Sequence, residues 1–280
     1  GNPGATTRHP RGAAKSAASN SRPIPTPSAS QPTPDPVAKG HVFVIVMENR
    51  SYSDALATPY ISSLAKTYGV ATNYHSVSEP SLPNYLAMTS GNTWNIHDDS
   101  YHSLPSDGLG QQLSGAGVSW KAYAEGFTGD CLASPYPYAL KHNPFAYYGG
   151  TCPANVVPIS QLAGDPRSNT PGLTWIMPGL CNDGHDCSRN TADAWLAQVV
   201  PSILASPAWR KGGVLLITWD EGGTATDDHV ATLVISPNPV AHESTTYYTH
   251  YSLLATIEDH LGVGRLGQAA GATPMADLVR

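Results

Sequence analysis

The sequence predicts an α/β fold in which a mostly parallel central sheet is covered by helices on both faces. Short runs rich in β-branched residues alternate along the chain with stretches whose apolar residues recur at three- and four-residue spacing. These are the patterns of buried strands and amphipathic helices, respectively. The strand runs are also nearly continuous in apolar residues, which is typical of parallel strands that are buried on both faces.

The individual elements follow in chain order. Strands are predicted at residues 42–47, 70–74, 118–123, 173–177, 214–219 and 230–235. Helices are predicted at 60–68, 82–90, 109–115, 192–204 and 251–261, and several of them end at a glycine. The stretch 124–172, rich in Gly, Pro and Tyr, is predicted to be a long irregular segment, and such segments on a rigid scaffold usually shape a site.

Residues 1–38 are predicted to be a disordered linker, and residues 39–280 a single domain. Residues 1–36 contain eight prolines, and Ile24 is their only large aliphatic side chain. So little apolar surface cannot offset the entropy lost on ordering. An alternative is a basic arm that touches anionic surfaces, because this segment carries four basic side chains and one aspartate.

Charge and hydropathy argue against two classes of protein. The net charge of −6 argues against a nucleic-acid binder that is held by a general basic field. The longest apolar runs have six residues, against the roughly 18 that a membrane helix needs. We therefore expect no nucleic-acid partner and no transmembrane segment.

The cysteines predict two disulfides. All four lie in one third of the chain, at Cys131, Cys152, Cys181 and Cys187, and no two have the C-x-x-C spacing of a zinc or redox centre. Three connectivities are possible, and the simplest joins nearest neighbours, Cys131 with Cys152 and Cys181 with Cys187. Together with the Pro/Ser-rich linker, disulfides predict a secreted protein.

Acidic residues follow two of the predicted strands directly. Glu48 and Asn49 come after the strand 42–47, and Asp220 and Glu221 come after the strand 214–219. Ligands bind at the carboxyl ends of strands in an open parallel sheet. Carboxylate and amide oxygens suit a divalent cation, although acids at strand ends can also simply cap helices or face water.

Ser81 stands at the start of a predicted helix, with Pro83 in the first turn. This is the position of an ordinary N-cap residue. It is also a position where a phosphate finds free N–H groups and a favourable helix dipole. A divalent cation touching the hydroxyl would lower its pKa and make an alkoxide nucleophile accessible.

The chain has eleven histidines, of which four lie among other polar candidates. These are His142, His185, His229 and His250. A protonated imidazole can stabilise phosphoryl oxygens or protonate a leaving alcohol, and a neutral one can ligate a second metal ion. The residues alone leave these roles open.

Together the motifs resemble the bacterial phosphoesterase family that joins secreted acid phosphatases with phospholipases C. The resemblance rests on MENRS at 47–51, the segment 78–91, KHNP at 141–144, NDGHD at 182–186, TWDEGG at 218–223 with Asp228-His229, and THYSLLATIE at 249–258. Their order and spacing match over residues 41–262. The overall length, without a large insertion, is most similar to the small secreted acid phosphatases, including those that act on phosphatidylinositol 3-phosphate.

The resemblance implies an alkaline-phosphatase-like, three-layer α/β/α sandwich and a set of roles. It implies one bound divalent metal ion, with a second left open, held by Glu48, Asn49, Asp220 and Glu221. It implies Ser81 as the nucleophile, His142 and His185 as further catalytic residues, and a phosphate surrounded by Asn84, Asp183, His229 and His250. Ser81-Leu82-Pro83-Asn84 is also similar to the nucleophile segment of nucleotide pyrophosphatases.

The function expected from these features is that of a secreted, metal-dependent phosphatase that acts on phosphate monoesters through a phosphoserine intermediate. The substrate would be a small phosphate ester, a class that extends to phosphoinositides and other phospholipid headgroups, and the enzyme would act as a monomer. The nearest alternative is a phospholipase C that cleaves a phosphodiester. A second alternative is a secreted, non-catalytic binding domain, which only the linker supports.

Overall fold

The core of the protein is an eight-stranded, mostly parallel sheet. The computed structural model describes residues 38–165 and 169–280, so the linker expected at 1–38 lies outside the described residues except for its last position. The strands in chain order are β1 (Val42–Met47), β2 (Val70–Ala71), β3 (Tyr74–His75), β4 (Trp120–Ala124), β5 (Val156–Pro158), β6 (Leu173–Met177), β7 (Val214–Trp219), β8 (Thr232–Ile235), β9 (Glu243–Ser244) and β10 (Tyr248–Thr249).

The strand β1 lies at the centre of this sheet. The strand order is β5-β4-β6-β1-β7-β8-β2-β9, while β3 and β10 form a separate parallel pair. β1 runs parallel to both of its neighbours, and β8 runs antiparallel to β7 and β2. All six residues of β1 are buried, as expected of a strand covered on both faces.

Helices cover the sheet and complete the three-layer α/β/α architecture that the sequence predicts. They are α1 (Tyr52–Leu56), α2 (Pro59–Thr67), α3 (Ser81–Ser90), α4 (Leu109–Gly115), α5 (Arg189–Leu204), α6 (Pro207–Arg210) and α7 (His250–Leu261). α3 packs against α7, which also contacts β1, and α2 packs against α5. The predicted fold class is confirmed.

The predicted strand at 70–74 is wrong as a single element. β2 pairs with β8 and β9 in the large sheet, whereas β3 pairs with β10 in the small one. The chain changes sheets between them, after Thr72, which donates both its N–H and its hydroxyl to the carbonyl of Ser244 in β9, at 2.9 and 3.0 Å. α5 begins before its predicted start at 192, since the Ser188 hydroxyl accepts the N–H of Thr191 and caps the helix.

The described part of the segment 124–172, which excludes 166–168, contains little regular structure, as expected. Between β4 and β6 it holds β5 and the short 3-10 helices Leu140–His142, Pro144–Ala146 and Ile159–Gln161. Disulfides join Cys131 to Cys152 and Cys181 to Cys187, which confirms the nearest-neighbour pairing. In the part of the chain described by the structure, no helix has the length and apolar character of a membrane span.

Candidate active site

The four residues expected to bind a metal ion lie side by side. β1 and β7 are parallel neighbours with Met47 opposite Trp219, so the residues that follow each strand leave the sheet together. The backbone N–H of Asn49 donates to Oδ1 of Asp220 at 3.0 Å. Asn49 itself has a left-handed backbone, with φ of 51°, which asparagine tolerates better than most residues. The strand register therefore assembles this part of the site.

Ser81 is the first residue of α3 and faces these carboxylates. Its hydroxyl lies 2.8 Å from Oε1 of Glu48 and 3.2 Å from Oε1 of Glu221, within donating distance of both. Ser81 is almost completely buried, at 3% exposure. A hydroxyl between two carboxylate acceptors at a helix N-terminus is well placed to lose its proton and to attack phosphorus.

His142 enters the site from the 3-10 helix that it ends. Its Nε2 lies 2.9 Å from Oε1 of Glu48, and its Nδ1 lies 3.3 Å from Oδ2 of Asp183. The hydroxyl of Tyr85 donates to the other oxygen of Glu48 at 2.9 Å. Glu48 is therefore surrounded by donors, and its Oε1 lies within hydrogen-bond distance of both the Ser81 hydroxyl and the imidazole of His142.

The electrostatics of this cluster reflect crowded negative charge. Burial raises the pKa of Asp220 well above its usual range, and Glu48 raises it further. Burial and Glu48 also raise the pKa of Glu221 to about 7. Burial opposes ionisation of Glu48 and His142 too, but their mutual attraction outweighs it, so the pKa of Glu48 falls to about 2 and that of His142 rises to about 9. The cluster thus contains three carboxyl groups, those of Glu48, Asp220 and Glu221, but only one imidazole, that of His142, to offset their negative charge.

The donor set fits a divalent cation. Three carboxylates and an amide supply hard oxygen ligands, and buried oxygens of Asn49 (Oδ1) and Asp220 (Oδ2) accept no hydrogen bond from the described residues. Within residues 38–165 and 169–280, however, no three His, Cys, Asp or Glu side chains form a ready-made ligand group. The Glu48 oxygens are instead turned toward Ser81 and Tyr85, so a cation would replace those hydrogen bonds.

Asp183 and His185 lie on the short loop closed by the Cys181–Cys187 disulfide. The N–H of His185 donates to Oδ1 of Asp183 at 2.7 Å, and its Nδ1 lies 2.6 Å from Oδ1 of Asp186. The ring centroid of His185 is 6.1 Å from that of His142. The side chain of His185 is 31% exposed, so it stands at the rim of the site, whereas Asp183 is buried beside His142.

Asn84 uses both ends of its side chain within the segment that precedes Ser81. Its Oδ1 accepts the N–H groups of Val77 and Ser78, at 3.0 and 3.1 Å. Its Nδ2 donates to the carbonyls of Ser78 and Pro80, at 2.8 and 3.2 Å. These bonds position the entry to α3, and the expected contact of Asn84 with phosphate stays a prediction.

The other two histidines also make contacts within the protein. His250 is fully buried between the hydroxyl of Tyr74 and the carbonyl of Asp220, at 2.8 and 2.6 Å, and burial lowers its pKa to about 4. It therefore supports the loop that carries Asp220. His229 stacks on Tyr52 with ring centroids 4.3 Å apart, and its Nε2 lies 2.7 Å from the carbonyl of Thr72. Phosphate binding by either residue stays a prediction.

Sequence reasoning missed three residues that shape the site. Tyr85 lies one helical turn after Ser81, so the helix period could have found it. Glu125 directly follows β4, accepts the N–H of Gly179 at 2.7 Å and accepts a hydrogen bond from Asn182. It was missed because the strand was predicted to end at 123, so that Glu125 did not directly follow a predicted strand. Asp99, whose Oδ1 accepts the N–H of Leu82 at 3.1 Å, lies in an irregular segment that gives no signal.

Comparison with known proteins places this geometry in a family. Residues 54–264 match the model of the Phosphoesterase family. The chain is 30% identical to the phosphatidylinositol-3-phosphatase of Mycobacterium tuberculosis over 252 residues, 85% of this chain and 82% of that protein. It is 28% identical to a probable acid phosphatase of Kluyveromyces lactis over 85% of this chain, but spans only 62% of that protein.

Solved structures show the same fold. A protein of the alkaline phosphatase superfamily from Vibrio parahaemolyticus superposes with a TM-score of 0.60 at 10% sequence identity, covering 86% of this chain and 70% of that one. At this level of identity the likeness concerns the fold alone, and it confirms the expected alkaline-phosphatase-like architecture.

Proposed function

The chain belongs to the phosphoesterase family, and from that premise we propose that it is a secreted, metal-dependent phosphatase that hydrolyses phosphate monoesters through a phosphoserine intermediate. The observation that carries the proposal is the hydroxyl of Ser81, held between Glu48 and Glu221 at the N-terminus of α3. The names of the relatives, acid phosphatase and phosphatidylinositol-3-phosphatase, support phosphate monoesters as the substrate class.

Glu48, Asn49, Asp220 and Glu221 would hold the cation. When bound, a divalent cation lowers the pKa of a hydroxyl and offsets charge on phosphoryl oxygens. The orphaned oxygens of Asn49 and Asp220 support this assignment.

The chain's own residues account for the chemistry of two successive displacements. The proton of Ser81 passes to Glu221, whose Oε1 accepts a hydrogen bond from the hydroxyl, and Oγ forms a bond to phosphorus as the ester P–O bond breaks. The departing alkoxide takes a proton from His185 at the rim. Water then attacks the phosphoserine and gives a proton to the imidazole of His185, the bond from phosphorus to Oγ breaks, and Oγ takes its proton back from Glu221. Phosphate leaves with net retention of configuration at phosphorus. His142 keeps Glu48 oriented and offsets its charge.

The nucleophile is tested by Ser81→Ala. We expect this variant to fold and to lose roughly a thousandfold or more in kcat, and the wild-type enzyme quenched during turnover to carry phosphate on the peptide that contains Ser81. Ser63→Ala, at an exposed serine of α2, serves as the matched control. Full activity in the Ala variant would exclude a serine nucleophile at this position.

Two further measurements test the cation and the substrate class. Dialysis against a chelator should remove bound metal and activity together, and add-back of Mg²⁺, Mn²⁺, Ca²⁺ or Zn²⁺ should restore activity with one of them. p-Nitrophenyl phosphate should be hydrolysed much faster than p-nitrophenyl phosphorylcholine. The reverse order would favour a phospholipase C, and activity that survives chelation would remove the metal from the proposal.

A further inference from the structure

Two clefts meet at Asn49, which is one of the candidate metal ligands. The first has a volume of about 500 Å³ and is lined by Glu221, Glu79 and His97 among others. The second has a volume of about 370 Å³ and is lined by Arg50, Asp54 and Arg189. Asn49 and Gly223 line both. We call the second one the arginine cleft; because it shares Asn49 and Gly223 with the cleft that Glu221 lines, it adjoins the candidate site.

The arginine cleft carries a net positive charge and presents polar surface. Two guanidinium groups face one carboxylate, that of Asp54, and the remaining lining residues are serines, Asn49 and Gly223. An acyl chain would find little apolar surface there. A hydrophilic anion would find one positive charge in excess on a polar, largely open surface.

Arg50 is fixed in the wall of the cleft. Its Nη1 donates to Oδ2 of Asp54 at 3.2 Å, and its Nη2 donates to the carbonyls of Gly184 and Cys187, both at 3.0 Å. The carbonyls orient the guanidinium without neutralising it. Because Gly184 and Cys187 belong to the disulfide-closed loop, the same loop that carries Asp183 also sets the position of this charge.

Arg189 supplies a more exposed charge than Arg50. It is the first residue of α5, a helix of sixteen residues, whose N-terminus adds partial positive charge to this side of the cleft. Its Nη1 donates to Oδ1 of Asp54 at 2.5 Å, and the side chain is 44% exposed. An incoming anion would thus compete with Asp54 for a guanidinium that can turn toward it.

We infer that the arginine cleft binds a second phosphate group on the alcohol part of the substrate, so that the enzyme prefers phosphate monoesters whose alcohol carries another phosphate. This inference rests on the proposed function and specifies its substrate class. The second group can be a free phosphate, as in a soluble bisphosphate, or the phosphodiester of a phosphoinositide headgroup. Planar guanidinium groups are the side chains best suited to bind either.

The test measures kcat/KM of the full chain for three phosphate esters. Inositol 3-phosphate has one phosphate, inositol 1,3-bisphosphate adds a free phosphate, and glycerophosphoinositol 3-phosphate, the deacylated headgroup, adds a phosphodiester without acyl chains. We expect at least one of the last two to exceed inositol 3-phosphate by roughly tenfold, the scale of one charge-assisted hydrogen bond. The larger gain identifies the source of the second phosphate. Equal values for all three would overturn the inference.

Two substitutions with opposite expected effects on the substrate preference distinguish a loss of anion recognition from general damage to the structure. Arg189→Gln should reduce the preference severalfold through a higher KM, and Arg189→Lys should restore part of it. Asp54→Asn, which removes the carboxylate that competes with the anion, should increase the preference. Arg210→Gln, at an exposed arginine of α6, should leave it unchanged.

A preference that both Arg189→Gln and Asp54→Asn lower, or that neither changes, would overturn the inference. If the wild-type enzyme released no phosphate from any of the three substrates or from p-nitrophenyl phosphate, the proposed function itself would fail, and the inference with it.

Discussion

Replacing Glu258 by glutamine should change how the stability of the protein depends on pH. Glu258 lies in α7 and is fully buried. Its Oε2 accepts hydrogen bonds from Gln112 Nε2 and from the N–H of Leu266, both at 2.9 Å. Its Oε1 is buried and accepts no hydrogen bond from the described residues. Burial raises the pKa of this carboxyl from 4.5 to about 8, so the folded protein holds the proton more tightly than the unfolded chain does.

The sign and size of the effect follow from this pKa. The stabilisation from the bound proton is complete below about pH 4.5 and is lost as the pH rises through about 8. At about 1.4 kcal/mol per pKa unit, the upper limit of the loss is about 5 kcal/mol. Glutamine is neutral throughout and can accept the same two hydrogen bonds. The unfolding free energy of the wild type minus that of Glu258→Gln should therefore fall as the pH rises.

The assay is urea unfolding, with the disulfides intact, at several pH values between 4.5 and 8.5. Because both proteins share every other titrating group, the difference between their unfolding free energies isolates Glu258. Glu243→Gln, at an exposed glutamate of β9, is the matched control and should give a constant difference. A constant difference for Glu258→Gln would refute the argument, since it would mean that the carboxyl is ionised in the folded protein.

Two other perturbations have outcomes set by the structure. Replacing the Cys131–Cys152 pair by serines should lower the unfolding free energy by about 3 kcal/mol, and replacing the Cys181–Cys187 pair by about 2 kcal/mol, from the loop lengths of 21 and 6 residues. Both replacements should also lower kcat, because the first loop carries His142 and the second carries Asp183; an unchanged kcat in either variant would contradict this. Asn84→Ala should cost about 3 kcal/mol in urea unfolding, since the fully buried side chain of Asn84 makes four hydrogen bonds to the partly buried 77–80 segment, whereas a cost under about 1 kcal/mol would mean that this segment does not depend on Asn84.

The sequence was sufficient for the fold class and for the centre of the site. Long apolar runs such as those of β1 and β7 identify buried parallel strands, and the acids that follow them must emerge at the same edge of the sheet. It was insufficient where a side chain's partner is distant in sequence. The contacts of His229 with Thr72 and Tyr52 depend on the chain changing sheets after β2, which its apolar pattern does not reveal. The capping of Leu82 by Asp99 depends on an irregular loop with no periodicity.

The geometry of the candidate active site depends on how the hydrophobic core packs around β1 and β7. Side chains alternate between the faces of a strand, so a slip of one residue between these strands would turn Glu48 away from Ser81 and displace its oxygens from Asp220. What prevents the slip is the fit of Val44, Ile45 and their neighbours against the helices on each side. Substitutions deep in the sheet, remote from any substrate, can therefore reduce turnover without altering a single reacting group. Selection for activity and selection for tight packing act here on the same residues.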